Sequence, residues 1–142
     1  MIRPAVPADA PAVRYLQELL PSRAPRLLET AVAVDGPGEV IVADDGGIVG
    51  YALAVPGAHD ATPSSVYLAE LAVAEDARRC GVGTSLVEWL TTRHADYDEV
   101  SVVVAVDAPA RGFYESLGFT ERKRLPDRFG DIDGVLLFRR LS

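Results

Sequence analysis

The stretch Leu71-Ala-Val-Ala-Glu-Asp-Ala-Arg-Arg-Cys-Gly-Val-Gly-Thr-Ser-Leu86 is the part of the sequence that best predicts the fold. Its apolar start is typical of a strand, its charged middle of a turn, and the residues from Gly81 onward of a helix. The first amide groups of a helix lack partners within the helix, and the helix dipole adds partial positive charge there. With Arg78 and Arg79 beside it, this turn can hold a phosphate or pyrophosphate, although a turn that only requires flexible residues has the same pattern.

Composition indicates a globular domain. The chain has 142 residues, of which 49% are hydrophobic and 25% charged, so we expect one domain over residues 1–142. The net charge of −7 argues against nucleic acid as a partner. No apolar run approaches the ~20 residues that cross a bilayer and no signal-peptide core is present, so we expect a cytoplasmic protein without a membrane partner. One cysteine and two separated histidines disfavour a disulfide framework and a metal site.

Hydrophobic periodicity predicts a strand, a helix and a strand around the opening stretch. The strand covers 66–74, the helix 81–94 and the second strand 100–106. The first of these strands is apolar except at Glu70, which indicates a central strand covered on both faces. The order is that of a βαβ unit, with two parallel strands and a right-handed crossover.

Further elements are predicted on either side of this unit. Before it, we expect a strand over 2–6, a helix within 7–20, a shorter helix near 27–32, and a hairpin of strands 39–44 and 47–55 followed by a loop over 56–65. After it, we expect a short helix that ends at Gly118, then closing strands over 119–125 and 135–141 with a turn or longer loop at 126–131. The pattern predicts one mixed α/β domain.

Two common phosphate-binding motifs do not fit the residues. A dinucleotide-binding turn requires a third glycine where this chain has Leu86. A nucleotide-hydrolysing P-loop requires Gly-Lys-Ser/Thr, a tripeptide that this sequence lacks.

The turn does resemble the coenzyme A loop of the GNAT superfamily of N-acetyltransferases, whose pattern is Arg/Gln-x-x-Gly-x-Gly/Ala. Arg78, Gly81 and Gly83 occupy its defined positions. Downstream, the segment Asp107-Ala-Pro-Ala-Arg-Gly-Phe-Tyr-Glu-Ser-Leu-Gly-Phe119 is similar to that family's Asn-x-x-Ala-x-x-Phe-Tyr-x-x-x-Gly-Phe. The order of elements agrees as well. The resemblance implies a mostly antiparallel sheet of six or seven strands with one parallel βαβ crossover and about four helices.

The resemblance also implies a binding site for acetyl-CoA. Amides from Arg79 to Thr84 would bind the pyrophosphate, and the main chain of Leu71 and Val73 would pair with the pantetheine between splayed strands. The N–H of Val73 would stabilise the oxyanion as the amine attacks the thioester. The implied cofactor-binding residues are Leu71, Ala72, Val73, Arg78, Arg79, Cys80, Gly81, Val82, Gly83, Thr84, Asp107, Ala110 and Phe113.

Tyr114 and Glu70 are the implied catalytic residues, and each has a structural alternative. Tyr114 would protonate the departing thiolate, or it is a core aromatic beside Ala110 and Phe113. Glu70 would deprotonate the substrate ammonium, directly or through a water, or it belongs to a structural ion pair with an arginine. Tyr67 and Glu115 are weaker candidates.

The expected reaction is direct acetyl transfer to a primary amine in a ternary complex, without a covalent intermediate or a metal. The acceptor is a small amine, a lysine or an N-terminal amine, and a homodimer is compatible with the family. The alternative is a GNAT-fold module that binds acyl-CoA as a sensor without catalysis. This chain departs from the family at Asp107, which replaces an asparagine, and at Cys80 within the phosphate loop. His59 and His94 are expected on the surface.

Overall fold

The computed structural model describes residues 1–20, 38–57, 63–78 and 80–141. The short helix predicted near 27–32, and also His59 and Arg79, lie outside these described residues. The elements in chain order are β1 (Ile2–Pro4), α1 (Ala10–Gln17), β2 (Glu39–Asp44), β3 (Ile48–Pro56), β4 (Ser65–Val73), α2 (Val82–Arg93), β5 (Glu99–Ala105), α3 (Pro109–Ser116), β6 (Thr120–Phe129) and β7 (Ile132–Arg140). In the described parts of the chain, no helix has the length and apolar character needed to cross a membrane.

The strands form one seven-stranded sheet in the order β1-β2-β3-β4-β5-β7-β6, which confirms the predicted mixed α/β fold. The pairs β1/β2, β2/β3, β5/β7 and β6/β7 are antiparallel. β4 and β5 start side by side, since the Ser64 carbonyl accepts hydrogen bonds from the amides of Asp98 and Glu99 at 3.1 and 3.2 Å. Two neighbouring strands that start at the same end and are joined through α2 run parallel, as the βαβ pattern predicts.

The chain divides into two compact units, and the prediction of a single domain stays a prediction. The first comprises Met1–Pro56 and Leu68–His94. In it, Val13 and Leu16 of α1 pack with the core residues Val40, Val42, Tyr51, Leu53 and Ala72. Gly50 lets α2 lie close to the sheet, because a Cβ there would be 3.1 Å from Val82 Cγ1 and 3.3 Å from Leu86 Cδ1.

The second unit comprises Gly57–Tyr67 and Ala95–Ser142. Its core contains four buried residues of the paired strands β5 and β7, namely Val100, Val102, Val135 and Leu137. Gly118, at φ +93°, ends α3 in the left-handed conformation, as the sequence predicts. On β5, the buried Glu99 carboxylate accepts hydrogen bonds from both Nη atoms of Arg122, at 2.6 and 2.9 Å. The same guanidinium lies 3.8 Å from the centre of the Phe138 ring.

Two sequence-based expectations about the strands differ from the structure in detail. Of the turn or longer loop expected at 126–131, only Gly130 and Asp131 form a turn, because β6 continues through Pro126 to Phe129. Proline is tolerated there because β6 is an edge strand and its register with β7 shifts between Leu125 and Phe129. β4 is not equally covered on both faces, since buried and half-buried residues alternate along it.

His94 is also misassigned by the sequence, because it is buried and only 9% exposed. It follows the last residue of α2, and its Nε2 lies 3.6 Å from Oε1 of Glu39, which Arg93 also contacts at 2.8 Å. The neighbouring His94 and the charge of Arg93 hold the pKa of Glu39 below its usual range.

Candidate active site

The start of α2 has the geometry that the phosphate-loop pattern predicts. Gly81 is the N-cap residue and adopts φ +79° and ψ 9°, a left-handed conformation that residues with a Cβ rarely take. No side chain caps the helix, and the first intrahelical bond is donated by Ser85 to the Gly81 carbonyl at 3.0 Å. The amides of Val82, Gly83 and Thr84 therefore open the helix without an intrahelical acceptor. Such a turn fits an anionic group of pyrophosphate type.

Arg78 connects this turn to the end of β4. Its Nε donates a hydrogen bond to the Val73 carbonyl at 3.2 Å, while the rest of the side chain is exposed. Cys80 is an exposed free cysteine, and its Sγ lies 3.7 Å from the Arg78 carbonyl. The turn therefore carries an exposed cation fixed to the strand that is expected to contact the pantetheine.

The implied residues of β4 point to two different faces of the sheet. Glu70 and Ala72 are buried, whereas Leu71 and Val73 are half-buried on the opposite face. The Glu70 side chain is therefore directed into the core of the first unit. Gln17 and Tyr51 are hydrogen-bond partners of Glu70 among the described residues, and the ion pair with an arginine stays an alternative for this carboxylate.

Glu70 accepts three hydrogen bonds from these two residues. Nε2 of Gln17 donates to Oε1 at 3.0 Å and to Oε2 at 3.2 Å, and the Tyr51 hydroxyl donates to Oε1 at 2.9 Å. Burial, together with the neighbouring Glu70 charge, raises the pKa of Tyr51 far above its usual value. The phenol therefore keeps its proton and remains a hydrogen-bond donor.

Tyr114, in the second unit, lies in an aromatic cluster. Its ring meets those of Phe113 and Phe119 edge to face, with centroids 5.0 and 5.3 Å apart. Only 4% of Tyr114 is exposed, and burial, with a smaller contribution from Tyr67, raises its pKa. Packing and proton donation are both compatible with this position, because a protonated phenol is what the acid role requires.

The remaining implied residues lie at the start of α3. Asp107 and Ala110 are exposed, and Phe113 is half-buried. Arg111 of α3 contacts the segment before the helix and the strand after it. Its guanidinium donates hydrogen bonds to the Val106 carbonyl at 3.3 Å and to Glu121 on β6 at 3.0 Å. The structure thus gathers the implied residues in two groups, one in each unit: Glu70 to Val73 with the turn up to Thr84, and Asp107 to Tyr114.

Sequence reasoning missed Gln17 and Tyr51. Gln17 had a detectable signal, because it is four residues after Val13 and so falls on the apolar face of α1. Tyr51 had no such signal, because an aromatic residue is common in an apolar strand. Its contact with Glu70 depends on how the strands pair, which the local sequence does not show.

Residues 36–121 match the family model described as the acetyltransferase (GNAT) domain. The chain belongs to the GNAT acetyltransferase family. The matched segment is more than half of the 142 residues and contains both the turn at Gly81 and the helix with Tyr114. Curated protein sequences gave no match.

Solved structures show the same fold as this acetyltransferase. A protein of the GNAT family from Desulfovibrio desulfuricans is 22% identical with a TM-score of 0.85, over 100% of this chain and 99% of that one. NAA60 from Arabidopsis thaliana, in complex with acetyl-CoA, is 17% identical with a TM-score of 0.84, over 99% and 97%. The ribosomal-protein-S18-alanine N-acetyltransferase of Escherichia coli is 21% identical with a TM-score of 0.79, over 100% and 94%.

Proposed function

We propose that this acetyltransferase moves the acetyl group of acetyl-CoA directly to a primary amine, with both substrates bound at once. The observation that carries the proposal is the start of α2, where left-handed Gly81 opens a helix whose first amides lack intrahelical acceptors. Arg78 adds an exposed cation at the same turn. Family membership and the acetyl-CoA complex of NAA60 support coenzyme A as the ligand that this turn accepts.

In the first unit, we assign the pyrophosphate to the turn around Gly81 and the pantetheine to the main chain of Leu71 to Val73. The Val73 amide would face the thioester carbonyl and stabilise the oxyanion that forms as the amine attacks, an effect worth about 3 kcal/mol in comparable sites. The Val73 carbonyl already accepts a bond from Arg78, which fixes the direction of the peptide group on its C-terminal side. Attack by the amine forms the C–N bond, and collapse of the intermediate breaks the C–S bond.

The proposal gives two proton transfers to two residues. Glu70 accepts the proton of the substrate ammonium, directly or through a water, which frees the lone pair for attack. Tyr114 gives its proton to the departing thiolate, and the second proton that the amine nitrogen loses as the amide forms restores the phenol. Burial raises the pKa of the phenol, and the same desolvation raises the pKa of a thiol next to it, so the transfer stays feasible.

The acceptor in this proposal is a small amine, a lysine side chain or an N-terminal amine. One structural neighbour is named for alanine N-acetylation of a ribosomal protein, and another is in complex with a bisubstrate analogue. The name of the first neighbour supports the inclusion of peptide N-termini among the acceptors to test.

Thiol release from acetyl-CoA, measured with a panel of small amines, lysine peptides and peptides with free N-termini, tests the proposal. We expect release with at least one acceptor class, together with a product whose mass has increased by one acetyl group. Binding of acetyl-CoA by calorimetry is the companion measurement. Binding without thiol release for any acceptor would favour a non-catalytic acyl-CoA sensor, and no binding would contradict both functions.

A further inference from the structure

The pair Gly118-Phe119 matches the end of the downstream family pattern, but the proposed function gives it no role. Both residues follow α3, and Phe119 is only 2% exposed although the edge strand β6 that begins after it is mostly exposed. The Phe119 ring packs edge to face against the Tyr114 ring, with centroids 5.3 Å apart and ring planes at 63°. This contact joins a motif residue without a role to the residue proposed as the general acid.

The backbone at the end of α3 brings Phe119 back to Tyr114. The Gly118 amide donates to the Glu115 carbonyl at 3.1 Å, and the Phe119 amide donates to the Tyr114 carbonyl at 3.1 Å. Paired bonds of this kind close a helix when the residue between the helix and the returning amide is left-handed. Gly118 supplies that conformation at φ +93°. Phe119 therefore contacts Tyr114 both through the main chain and through its ring.

The Tyr114 side chain is restricted by two rings. Phe113 contacts it from the preceding position in α3, with centroids 5.0 Å apart and ring planes at 69°, and Phe119 contacts it from beyond the helix end. Tyr114 is 4% exposed, so its ring can shift only if its closely packed neighbours shift as well. A proton donor must lie within hydrogen-bond reach of its acceptor, and a misplacement of about 1 Å can cost about a hundredfold in rate. The direction of the phenol therefore matters for the proposed reaction.

We propose that Phe119 is a positioning residue, whose ring and amide hold the Tyr114 side chain in the direction from which the phenol gives its proton to the departing thiolate. The left-handed Gly118 makes this arrangement possible. The inference rests on the proposed function, and it adds to that function a residue that acts through Tyr114. An apolar contact across a helix end also occurs where it only stabilises the helix, so the test must separate the two roles.

A double-mutant cycle of Phe119→Leu and Tyr114→Phe makes this separation. Phe119→Leu removes the ring but keeps an apolar side chain at a buried position, and Tyr114→Phe removes only the hydroxyl that Phe119 is proposed to direct. The measurements are kcat and KM for acetyl-CoA at a temperature at which all four proteins are folded, with calorimetry for acetyl-CoA affinity. Ile41→Val is the control for a weakened core, because Ile41 is buried on β2 in the first unit and has no role in the proposed function.

We expect Phe119→Leu to lower kcat about tenfold without a change in acetyl-CoA affinity, because it displaces the phenol and not the coenzyme. Tyr114→Phe should lower kcat about a hundredfold. The double variant should be no slower than Tyr114→Phe, since a ring that acts through the hydroxyl has no further effect once the hydroxyl is absent. Ile41→Val should keep the wild-type kcat.

Gly118→Ala and Gly118→Asn test the backbone part of the arrangement while the Phe119 ring is kept. A Cβ at position 118 would lie 3.9 Å from Arg139 Cδ, an ordinary van der Waals distance, so the two substitutions differ mainly in how readily they accept a positive φ. Asparagine adopts the left-handed conformation more readily than alanine. We expect Gly118→Ala to lower kcat about fivefold and Gly118→Asn to retain most of the wild-type value.

Three results would overturn the positioning role while the wild type is active. The first is a double variant in which the two losses multiply to about a thousandfold, because Phe119 would then act independently of the phenol. The second is a Phe119→Leu enzyme with the wild-type kcat, or with a loss that Ile41→Val shares. The third is the same kcat in Gly118→Ala and Gly118→Asn.

Failure of the proposed function gives a different result. A wild type that transfers acetyl to no amine overturns the proposed function, and the positioning role with it. An active wild type whose Tyr114→Phe variant keeps full kcat overturns the acid role of Tyr114 and the role of Phe119, but leaves acetyl transfer itself in place.

Discussion

The guanidinium Nε of Arg78 donates a hydrogen bond to the carbonyl of Val73 at 3.2 Å and thereby connects the turn before Gly81 to the end of β4. Arg78→Met removes both this bond and an exposed positive charge. We expect KM for acetyl-CoA to rise about fivefold, which corresponds to ~1 kcal/mol for one partly screened charge. Arg78→Lys keeps the charge without the planar guanidinium and should recover part of the loss.

Steady-state kinetics with varied acetyl-CoA gives this measurement, and Arg14→Met is the control because Arg14 is exposed on α1. An Arg78→Met enzyme with unchanged KM would show that neither the charge nor the bond contributes to coenzyme binding.

Gly81 and Gly112 form a matched pair for testing the helix start. Gly81 has φ +79° and open space where a Cβ would be, so Gly81→Ala should cost about 1 kcal/mol of unfolding free energy from backbone strain alone. Gly112 is within α3, also with open space around it, and Gly112→Ala should stabilise by about 0.5–1 kcal/mol. Urea denaturation measures both. The same sign for the two substitutions would contradict the assigned backbone conformation at Gly81.

Tyr114→Phe separates the acid role from packing. The substitution keeps the edge-to-face contacts with Phe113 and Phe119 and removes only the hydroxyl. We expect kcat to fall about a hundredfold with acetyl-CoA affinity nearly intact, since a general acid contributes on that scale. Because burial raises the Tyr114 pKa, wild-type turnover should show no alkaline loss from this group near its ordinary pKa of about 10.

Tyr15→Phe is the control for Tyr114→Phe, because Tyr15 is 74% exposed. Equal loss of turnover and coenzyme affinity in Tyr114→Phe would identify Tyr114 as a packing residue.

The contacts of Glu39 with Arg93 and His94 at the end of α2 should make the free energy of unfolding depend on pH in the acidic range. Its pKa is lowered by His94 and Arg93, below an ordinary value of about 4.3. The interaction therefore stabilises the fold above that pH and is lost as the pH falls through the lower, folded-state pKa. We expect Glu39→Gln to cost about 1 kcal/mol at neutral pH and to flatten the acid limb of the stability curve.

Unfolding free energies measured by urea titration at a series of acidic and neutral pH values test this expectation. A parallel loss at every pH would indicate that Glu39 acts through packing and not through its charge.

Arg122 and Arg124 both lie on β6, but their carboxylate partners differ in burial. Arg122→Met leaves buried Glu99 without its bidentate cation and should cost about 3 kcal/mol of unfolding free energy. Arg124 lies 3.9 Å from exposed Glu121, so Arg124→Met should cost less than about 0.5 kcal/mol. If Arg122→Met is also neutral in thermal and urea unfolding, the buried pair contributes no net stability.

The sequence predicted those features that local chemistry determines. The hairpin between β2 and β3, the left-handed Gly118 and the turn at Gly81 each depend on residues within a few positions of one another. The binding turn of the candidate site was predictable for the same reason.

Pairing between distant segments was not predictable. Gln17 and Glu70 are 53 positions apart, and Tyr51 and Glu70 are 19 apart, so only the folded sheet brings the three together. His94 at the end of α2 lies beside Glu39 at the start of β2, a contact between distant segments that the local sequence does not show. Pro126 suggested a loop, but the register shift of an edge strand accommodates it.

The two edges of the sheet are closed to further strands in different ways. β1 offers only three residues, one of them Pro4, whereas β6 is long and carries Arg122, Lys123 and Arg124 before its own proline. Short length, proline and charge each prevent an edge from recruiting another chain. The protein should thus resist aggregation into β-sheet filaments at high concentration, and substitutions that replace the charges of β6 by apolar residues would remove that protection first.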